Sequence, residues 1–362
     1  MKSQTNKFGL CEQFLAEANA FPHLFVGRVI SQYKGLYKIA NVNTGIILTG
    51  EVSGKFRHEA YSPTAYPVVG DFVMIDREND SSGNALIHAV LSRKSVLSRK
   101  SAGTSDKSQI IASNIDIVFI CMSLNKDFKV RRIERYLSLV WDSGAVPVIV
   151  LTKSDLAHDI EGKLAELEAV AIGVDVLVTS SVEENGHVAL MNYIKEGQTA
   201  AFIGSSGVGK STLINHLLGE NLIETSGIRD DDKGRHTTTR RELFMLKQGG
   251  MLIDTPGMRE VGIDEADLSR SFSDIEELSQ QCKFNDCSHA NEPRCAVQNA
   301  IATGELSKER LSNYQKLKKE AGYAGLNSKQ IEMAKIEEWG GTGVMKQFRK
   351  IAKEDNQRKH GR

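Results

Sequence analysis

The length, composition and charge of this chain set the first limits on what it can be. Its 362 residues exceed one ordinary hydrophobic core, so we expect two or three domains. Lys and Arg together number 46, as do Asp and Glu, so only local clusters could indicate a nucleic-acid partner. The N-terminus lacks the apolar run of a signal peptide, and no stretch has the roughly 20 apolar residues that cross a membrane. We therefore expect a cytoplasmic protein without a membrane partner.

The first part of the chain indicates an arm followed by a small β-barrel. Residues 1–22 have weak periodicity and are interpreted as a loose or partly helical arm. Five β-rich stretches follow within residues 23–100, namely 24–30, 36–41, 45–52, 68–75 and 85–91. Five short strands in so little chain favour a Greek-key barrel of the OB-fold type. Residues 92–113 are polar and rich in Ser, Lys and Arg, which predicts a linker or mobile loop and no core element. Within this stretch, residues 101–113 are predicted to be the linker between the barrel and the next domain.

From residue 114 the pattern changes to alternating strands and helices, which indicates an α/β domain over residues 114–275. Apolar runs predict strands at residues 115–122, 148–151, 174–178, 199–203, 242–246 and 251–254. Such a succession is typical of a largely parallel sheet that binds ligands at the carboxyl ends of its strands. Residues 276–362 predict a mainly helical module with a Cys/His cluster and a basic tail.

A glycine-rich loop after the strand at 199–203 predicts a phosphate site. Gly204-x4-Gly209-Lys210-Ser211 matches the phosphate-loop pattern without substitution, and a helix follows it. Glycines let several N–H groups point at one anion, and the helix N-terminus adds the positive end of its dipole. Lys210 is expected to bridge the β- and γ-phosphates, and Ser211 to bind Mg²⁺. The predicted loop residues are Gly204, Ser205, Ser206, Gly207, Val208, Gly209, Lys210, Ser211 and Thr212.

Two further segments predict the rest of the magnesium and phosphate site. Asp254 ends an apolar strand and can hold Mg²⁺, while the N–H of Gly257 can meet the γ-phosphate. Thr238 lies in a polar Thr-rich stretch and is expected to complete the Mg²⁺ shell when GTP is bound, with Thr237 as the near alternative. A Thr-rich strand edge is the other interpretation of that stretch.

The ends of two earlier strands predict a base-binding site. A carboxylate at Asp155 can accept hydrogen bonds from guanine N1–H and the 2-amino group, which adenine cannot supply, so GTP is favoured over ATP. The stem of Lys153 can pack over the base. For Asp155 by itself, an ordinary helix N-cap is the alternative interpretation. The predicted base-binding residues are Thr152, Lys153, Ser154, Asp155, Ser180 and Ser181.

The order of these motifs is unusual, because the base-binding segments precede the phosphate loop. Common GTPases have the phosphate loop first and the guanine loop last. The same sheet can be built with its chain ends moved, since termini are surface features. The sequence therefore predicts a circularly permuted P-loop GTPase, and the chain leaves it for the Cys/His module just after residues 254–257.

Four closely spaced residues predict a metal site. Cys282, Cys287, His289 and Cys295 make a Cys₃His set within a short stretch. In a reducing compartment such a set indicates Zn²⁺ before a disulfide, and four protein ligands make the ion structural. Buried free thiols are the alternative.

The water-orienting residue and the RNA surface are less clearly marked. Met258 stands where many GTPases have a water-orienting Gln, so His236 is the candidate from this chain, with a surface histidine in a switch loop as the alternative. Lys210 and Thr238 complete the predicted catalytic set.

A group of basic and aromatic residues in the barrel has two equally good interpretations, an RNA-binding face and solvated surface charge. The group comprises Arg28, Lys34, Lys38, Lys55 and Arg57 with Tyr33 or Tyr37. Arg93 and Lys94 form another basic cluster.

With these motifs the sequence resembles the circularly permuted ribosome small subunit-dependent GTPase A family over nearly its whole length. The resemblance rests on residues 152–155, 204–212, 234–239, 254–257 and the Cys₃His set. Thr152 departs from the Asn that is commoner in GTPases, so modest guanine affinity is expected. The alternatives that remain are a nucleotide-binding RNA scaffold without significant turnover and an ATP-using enzyme.

The resemblance implies an N-terminal OB-fold that contacts ribosomal RNA, a permuted α/β GTPase and a mainly α zinc-binding module. It implies a late assembly factor of the small (30S) ribosomal subunit whose GTP hydrolysis the subunit stimulates. The expected cofactors are one structural Zn²⁺ and Mg²⁺ with GTP. The expected partners are the 30S subunit with its 16S rRNA and GTP or GDP, and the protein is expected to be a monomer. The family points to His236 as well.

Overall fold

The computed structural model describes residues 7–81, 83–100, 108–180, 182, 186–220, 222–223, 241–255, 268, 271–284, 286–290, 292–322, 330 and 333. The N-terminal part begins with helix α1 (Glu12–Ala18). It continues with β1 (Phe25–Gln32), β2 (Tyr37–Asn41), β3 (Ile47–Val52), helix α2 (Gly54–Glu59), β4 (Phe72–Ile75) and β5 (Ala85–Val90).

These five strands form the predicted closed barrel. Their order is β1-β2-β3-β5-β4, and a further pairing of β1 with β4 closes it. The interior is filled by inward-facing aliphatic side chains such as Val29, Ile39 and Leu48, none of which is exposed. β4 begins later than predicted, because the preceding residues form a turn in which Gly70 has a positive φ and the Asp71 carboxylate accepts from the Val68 N–H at 2.8 Å.

An antiparallel hairpin follows the barrel, formed by β6 (Val96–Lys100) and β7 (Ser108–Ser113). Leu97, Ile111 and Ala112 are buried in the largest apolar core of the described residues. The prediction that residues 92–113 contain no core element is therefore wrong for these two strands. Each strand is short, and the apolar side chains are few among Ser and Lys, so the alternation was too weak to recognise. Residues 101–107 lie outside the described part of the chain.

The α/β part has the predicted parallel sheet with helices on both faces. Its elements are β8 (Ile117–Ser123), α3 (Val130–Ser143), β9 (Val146–Thr152), α4 (Ile160–Glu168), β10 (Asp175–Val178), α5 (Val188–Met191), β11 (Thr199–Gly204), α6 (Lys210–Leu218), β12 (Glu242–Met245) and β13 (Met251–Asp254). The strand order is β10-β9-β8-β11-β13-β12, parallel throughout except for β12. Alternate side chains of β8 face opposite cores: Val118 packs with α3 and α4, and Phe119 with α5 and α6. Both faces of the strand are thus covered, as its continuous apolar run predicts.

Helices α7 (Ser273–Ser279), α8 (Ala296–Thr303) and α9 (Lys308–Gly322) form the C-terminal module. Phe272, Ile275, Val297 and Tyr314 are buried in its core. Among the described residues, no helix combines the length and the apolar character needed to cross a bilayer.

Arg28 on β1 ties the barrel to the parallel sheet. β1 pairs with β12 at its far end, so the two sheets are continuous. The Arg28 side chain is 1% exposed and donates to the carbonyl oxygens of Phe8 (2.5 Å) and Asn114 (3.2 Å) and to Thr199 Oγ1 (2.8 Å). Burial lowers its pKa to about 10, against the opposing charges of Asp116 and Asp71. Arg28 is therefore a buried residue that connects the barrel to the parallel sheet.

The interpretation of Arg28 and Tyr37 as part of an RNA face is wrong, because both side chains are buried. Arg93 and Lys94 are likewise engaged, in ion pairs with Asp71 (2.7 Å) and Asp116 (2.6 Å) respectively. The exposed candidates that remain on the barrel include Tyr33, Lys34, Lys55 and Arg57.

We expect Arg28→Met to lower the free energy of unfolding by about 3 kcal/mol, because it leaves buried acceptors without their charged donor. Arg57→Met is the matched control, since Arg57 is exposed and its loss should change stability by less than about 0.5 kcal/mol. Urea denaturation of both variants measures the difference. Equal free energies of unfolding for Arg28→Met and Arg57→Met would contradict the stabilising role of Arg28.

Candidate nucleotide site and metal centre

The predicted phosphate loop lies between β11 and α6, as the sequence pattern requires. Gly204, Gly207 and Gly209 all have positive φ, a conformation that side chains with a Cβ rarely adopt. Gly204 pairs with Cys121 of β8, and a Cβ at position 204 would collide with the Cys121 carbonyl oxygen. The loop therefore depends on glycine both for its backbone shape and for the close approach of two strands.

Lys210 begins α6 and turns back into the loop. Its ammonium donates to the carbonyl oxygens of Gly204 (2.8 Å) and Ser205 (2.6 Å). The loop thus encloses a positive charge beside the N-terminus of a helix, an arrangement that suits a bound phosphate. Ser211 follows in the first turn of α6 and is half-buried.

Asp254 ends β13, which lies beside β11. Burial raises the pKa of the Asp254 carboxyl to about 6, and the Lys210 ammonium acts in the opposite direction. The next residue, Thr255, is buried, and its hydroxyl donates to the Phe202 carbonyl oxygen at 2.6 Å, which holds the carboxyl end of β13 against β11. A half-buried carboxylate and a serine hydroxyl at one edge of the sheet are oxygen donors of the kind that Mg²⁺ prefers.

Thr152 connects the predicted base-binding loop to the predicted phosphate loop. It is 3% exposed at the end of β9, and its hydroxyl donates to the Val208 carbonyl oxygen at 2.6 Å. One donor is sufficient for this contact, so a threonine can stand where other GTPases have an amide. The side chain sets the distance between the two loops from within.

Asp155 and Ser180 form the polar side of the predicted base-binding region. Asp155 is exposed, and Ser180, which is buried, donates its hydroxyl hydrogen to Asp155 Oδ1 at 2.5 Å. Lys153 has a left-handed backbone with φ +59°, and the N–H of Ser154 donates to the Thr179 carbonyl oxygen at 3.3 Å. The buried serine therefore orients the carboxylate, a role that the sequence pattern did not assign to its side chain.

A contact that the sequence did not predict comes from helix α3. Arg132 Nη1 donates to Ser205 Oγ in the phosphate loop at 2.8 Å. The only indication of this contact in the sequence is the position of Arg132, in the first turn of the helix that follows β8. Because β8 pairs with β11, the start of that helix lies near the phosphate loop.

Several predicted site residues lie outside the described part of the chain. They are Ser181, His236, Thr238 and Gly257, together with Thr237 and Met258. Their roles in switching, hydrolysis and magnesium binding stay predictions.

Cys282, Cys287, His289 and Cys295 converge as predicted, with all four ligand atoms within 4.8 Å of one another. Cys282 Sγ lies 3.8 Å from Cys295 Sγ and 3.6 Å from His289 Nδ1, and Cys295 Sγ lies 3.5 Å from that nitrogen. A tetrahedron with Zn–S bonds of about 2.3 Å has edges of about 3.8 Å, so the set is compatible with zinc.

Neighbouring hydrogen bonds favour forms of these side chains that can bind a metal. The Ser279 hydroxyl donates to the Ile275 carbonyl oxygen at 2.6 Å and lies 3.0 Å from His289 Nε2, so it is placed to accept the Nε2 hydrogen. That tautomer leaves Nδ1 free to bind a cation. At the start of α8, the N–H of Gln298 donates to Cys295 Sγ at 3.4 Å, which favours a thiolate.

Comparison with known proteins gives consistent matches. Residues 90–264 match the family model described as RsgA GTPase. "Small ribosomal subunit biogenesis GTPase RsgA 2" of Lactiplantibacillus plantarum is 48% identical over 345 residues, which cover 95% of this chain and 97% of that protein. "Small ribosomal subunit biogenesis GTPase RsgA 1" of Listeria monocytogenes is 43% identical over 332 residues, 91% of each protein.

Two solved structures are similar in fold. The crystal structure of YjeQ from Thermotoga maritima has a TM-score of 0.61 and 29% identity, covering 82% of this chain and 98% of that one. YloQ, described as a circularly permuted GTPase, has a TM-score of 0.59 and 26% identity, covering 83% of this chain and 96% of its own.

We expect Thr152→Val to weaken nucleotide binding about tenfold, the effect of losing one buried hydrogen bond. The variant keeps the shape of the side chain but removes the donor to the Val208 carbonyl oxygen. Titration with a fluorescent GDP analogue measures the affinity. Thr152→Ser retains the hydroxyl and should bind nearly as wild type does; equal losses in both variants would contradict the role of this bond.

Proposed function

This chain belongs to the RsgA GTPase family, and on that premise we propose that it couples GTP hydrolysis to a late step in the assembly of the small (30S) ribosomal subunit. Family membership makes it a GTP hydrolase, which sets aside a scaffold without turnover and an ATP-using enzyme. The observation that carries the proposal is likeness along nearly the whole chain to proteins named for biogenesis of that subunit.

The phosphate end of GTP would be held by the loop at residues 204–212. Lys210 would exchange its two carbonyl partners for phosphate oxygens, at little geometric cost because the ammonium already lies inside the loop. Mg²⁺ bound with GTP would neutralise charge on the phosphates. Ser211, Thr238 and Asp254 are the residues that we assign to its shell. Gly257 would donate its N–H to the γ-phosphate.

The base end would be selected by Asp155, with its carboxylate oriented by Ser180. The buried Ser180 limits the rotation of that carboxylate, so two acceptor oxygens are ready for the two donors of guanine. Lys153 would cover one face of the base, and residues 180–181 would approach its carbonyl oxygen. Adenine would leave the carboxylate without this donor pair, which disfavours ATP.

His236 would orient the attacking water, because Met258 has no group that can do so. An imidazole titrates near neutral pH and can accept a hydrogen bond from water in its neutral form. We propose that docking on the subunit places this histidine, so hydrolysis becomes dependent on the correct partner.

The barrel formed by β1 to β5 would contact 16S rRNA. The exposed Tyr33, Lys34, Lys55 and Arg57 supply an aromatic ring and positive charges, the combination that binds unpaired nucleotides. We propose the domain boundaries that the sequence pattern indicates at residues 22 and 275, but not the linker over residues 101–113, because β7 lies within it and is paired with β6 and buried. The protein would act in the cytoplasm as a monomer.

The Cys₃His set would hold one structural Zn²⁺. The separations among Cys282, His289 and Cys295 suit a tetrahedral site, and the neighbouring hydrogen bonds favour the metal-binding forms of His289 and Cys295. All four positions would be occupied by protein, which leaves none for a substrate. The ion would therefore stabilise the C-terminal module and take no part in hydrolysis.

The proposed function predicts that purified small subunits raise the GTP hydrolysis rate by on the order of tenfold or more. His236→Ala should keep nucleotide affinity and lower the stimulated rate by on the order of 100-fold, because it removes the group that orients water. Phosphate release is measured with and without subunits under multiple-turnover conditions.

Large subunits are the control particle, and His23→Ala, an exposed histidine outside the nucleotide site, is the control variant. Equal stimulation by the two subunits would contradict the proposed partner. Near-normal stimulated turnover in His236→Ala would contradict the role of that histidine while leaving the partner intact.

Removal of zinc should unfold the C-terminal module without abolishing nucleotide binding, because the ligands come from this module alone. The purified protein should contain about one zinc ion per chain. Metal analysis, circular dichroism and nucleotide titration before and after chelation measure the three quantities. Cys11→Ser, at an exposed cysteine far along the chain from the set, should keep its zinc, and Cys287→Ser should lose it. Zinc loss in both variants, or complete loss of nucleotide binding on chelation, would refute this separation.

A further inference from the structure

Helix α3 makes polar contacts with the phosphate loop on one side. Arg132 and Tyr136 are four residues apart, so their side chains lie on one face of the helix. Arg132 Nη1 donates to Ser205 Oγ at 2.8 Å, and Ser205 also shares a side-chain hydrogen bond with Tyr136. The loop is therefore held by its second residue, which precedes the glycines at 207 and 209.

The same helix makes a buried ion pair on its other side. Successive residues turn by about 100° around a helix, so Glu134 lies about 200° from Arg132. Glu134 is 2% exposed and accepts from Arg310 Nη1 at 2.7 Å and from Asn313 Nδ2. Both donors belong to α9 of the C-terminal module. Helix α3 thus stands between the phosphate loop and that module.

Arg310 makes several further contacts within the C-terminal module. Its guanidinium donates to both oxygens of Asp274, at 2.6 and 2.8 Å, and to the Ser271 carbonyl oxygen at 2.9 Å. It also lies over the ring of Phe272, 4.8 Å from the centroid. Asp274 belongs to α7, so one side chain of α9 joins α7 to α3. A buried charge held on all sides permits few alternative positions.

We propose that Arg132 is a positioning residue for the phosphate loop. We further propose that the buried ion pair between Glu134 and Arg310 of the C-terminal module holds α3, and with it the Arg132 side chain, in place. The Ser205 carbonyl oxygen accepts from Lys210, while its side chain is held by α3. When the ammonium turns to a phosphate, the contact with Arg132 keeps Ser205 in place. Ile133, Leu137 and Val140 are buried against the sheet, so α3 carries both contacts as one rigid element.

The first test compares Arg132→Met with Arg131→Met, an exposed neighbour on the same helix. Arg132→Met should raise the Kd of a fluorescent GDP analogue and the KM for GTP about tenfold, the worth of one charge-assisted hydrogen bond. The basal kcat should change less than about twofold, because the loop holds the ground state and the transition state alike. Arg132→Lys should recover part of the affinity, and Arg131→Met should match wild type.

A wild-type Kd and KM in Arg132→Met would overturn the proposal. So would an equal fall in kcat and kcat/KM, since that pattern belongs to a contact made only in the transition state. These measurements use nucleotide alone, so they stand or fall independently of the proposed ribosomal partner.

The second test asks whether the C-terminal module acts through Arg132. Glu134→Gln keeps the size of the side chain but removes its charge, so the ion pair is lost and only a neutral hydrogen bond to Arg310 can remain, whereas Arg310→Met leaves the buried carboxylate of Glu134 unpaired and can prevent folding. In the wild-type background, Glu134→Gln should raise the Kd of the GDP analogue about threefold; in the Arg132→Met background it should have almost no effect. Lys308→Met, exposed on α9, is the control and should change nothing. Additive effects, or an unchanged Kd in folded Glu134→Gln, would overturn the link.

Discussion

The parallel pairing of β8 with β11 is the interaction on which the nucleotide site depends. It sets Cys121 opposite Gly204, so the phosphate loop opens at the same edge as the base-binding loop at the end of β9. The strand neighbours of a sheet, and not their order along the chain, decide which loops meet. The permuted chain therefore brings the same loops together as a GTPase with the common order of motifs. Without a glycine at position 204 the two strands could not approach this closely.

Two buried arginines join the parts that surround this site. Arg28 reaches from the barrel to Thr199 at the start of the phosphate strand, and Arg310 reaches from the C-terminal module to Glu134 on α3. Each guanidinium has acceptors on several segments, and the loss of one partner leaves a costly buried charge or an unpaired acceptor. Such contacts tolerate little displacement. They therefore restrict how the barrel and the C-terminal module can move relative to the parallel sheet and helix α3.

Much of the fold could be predicted because its signals are local. Strand β3 of the barrel shows alternating burial, and β8 of the parallel sheet is a continuous buried apolar run followed by a helix. The Cys₃His set was recognisable because its donors are close in sequence. The hairpin of β6 and β7 was missed, because its few apolar residues stand among Ser and Lys. Arg28 was misplaced because an arginine is usually a surface residue, and its acceptors are scattered along the chain.

The sequence by itself determined the motifs of this protein: a glycine-rich loop of the phosphate-binding pattern, a carboxylate at the end of β9, a Cys₃His set and their permuted order. Short motifs carry this information, because backbone shape and ligand spacing are set by neighbouring residues. Only the tertiary structure decided which side chains hold the motifs in place. Thr152 bonds to Val208 and Ser205 to Arg132, and Glu134 pairs with a residue 176 positions away. These partners are chosen by packing across the sheet and between modules, where distance in space no longer follows distance along the chain.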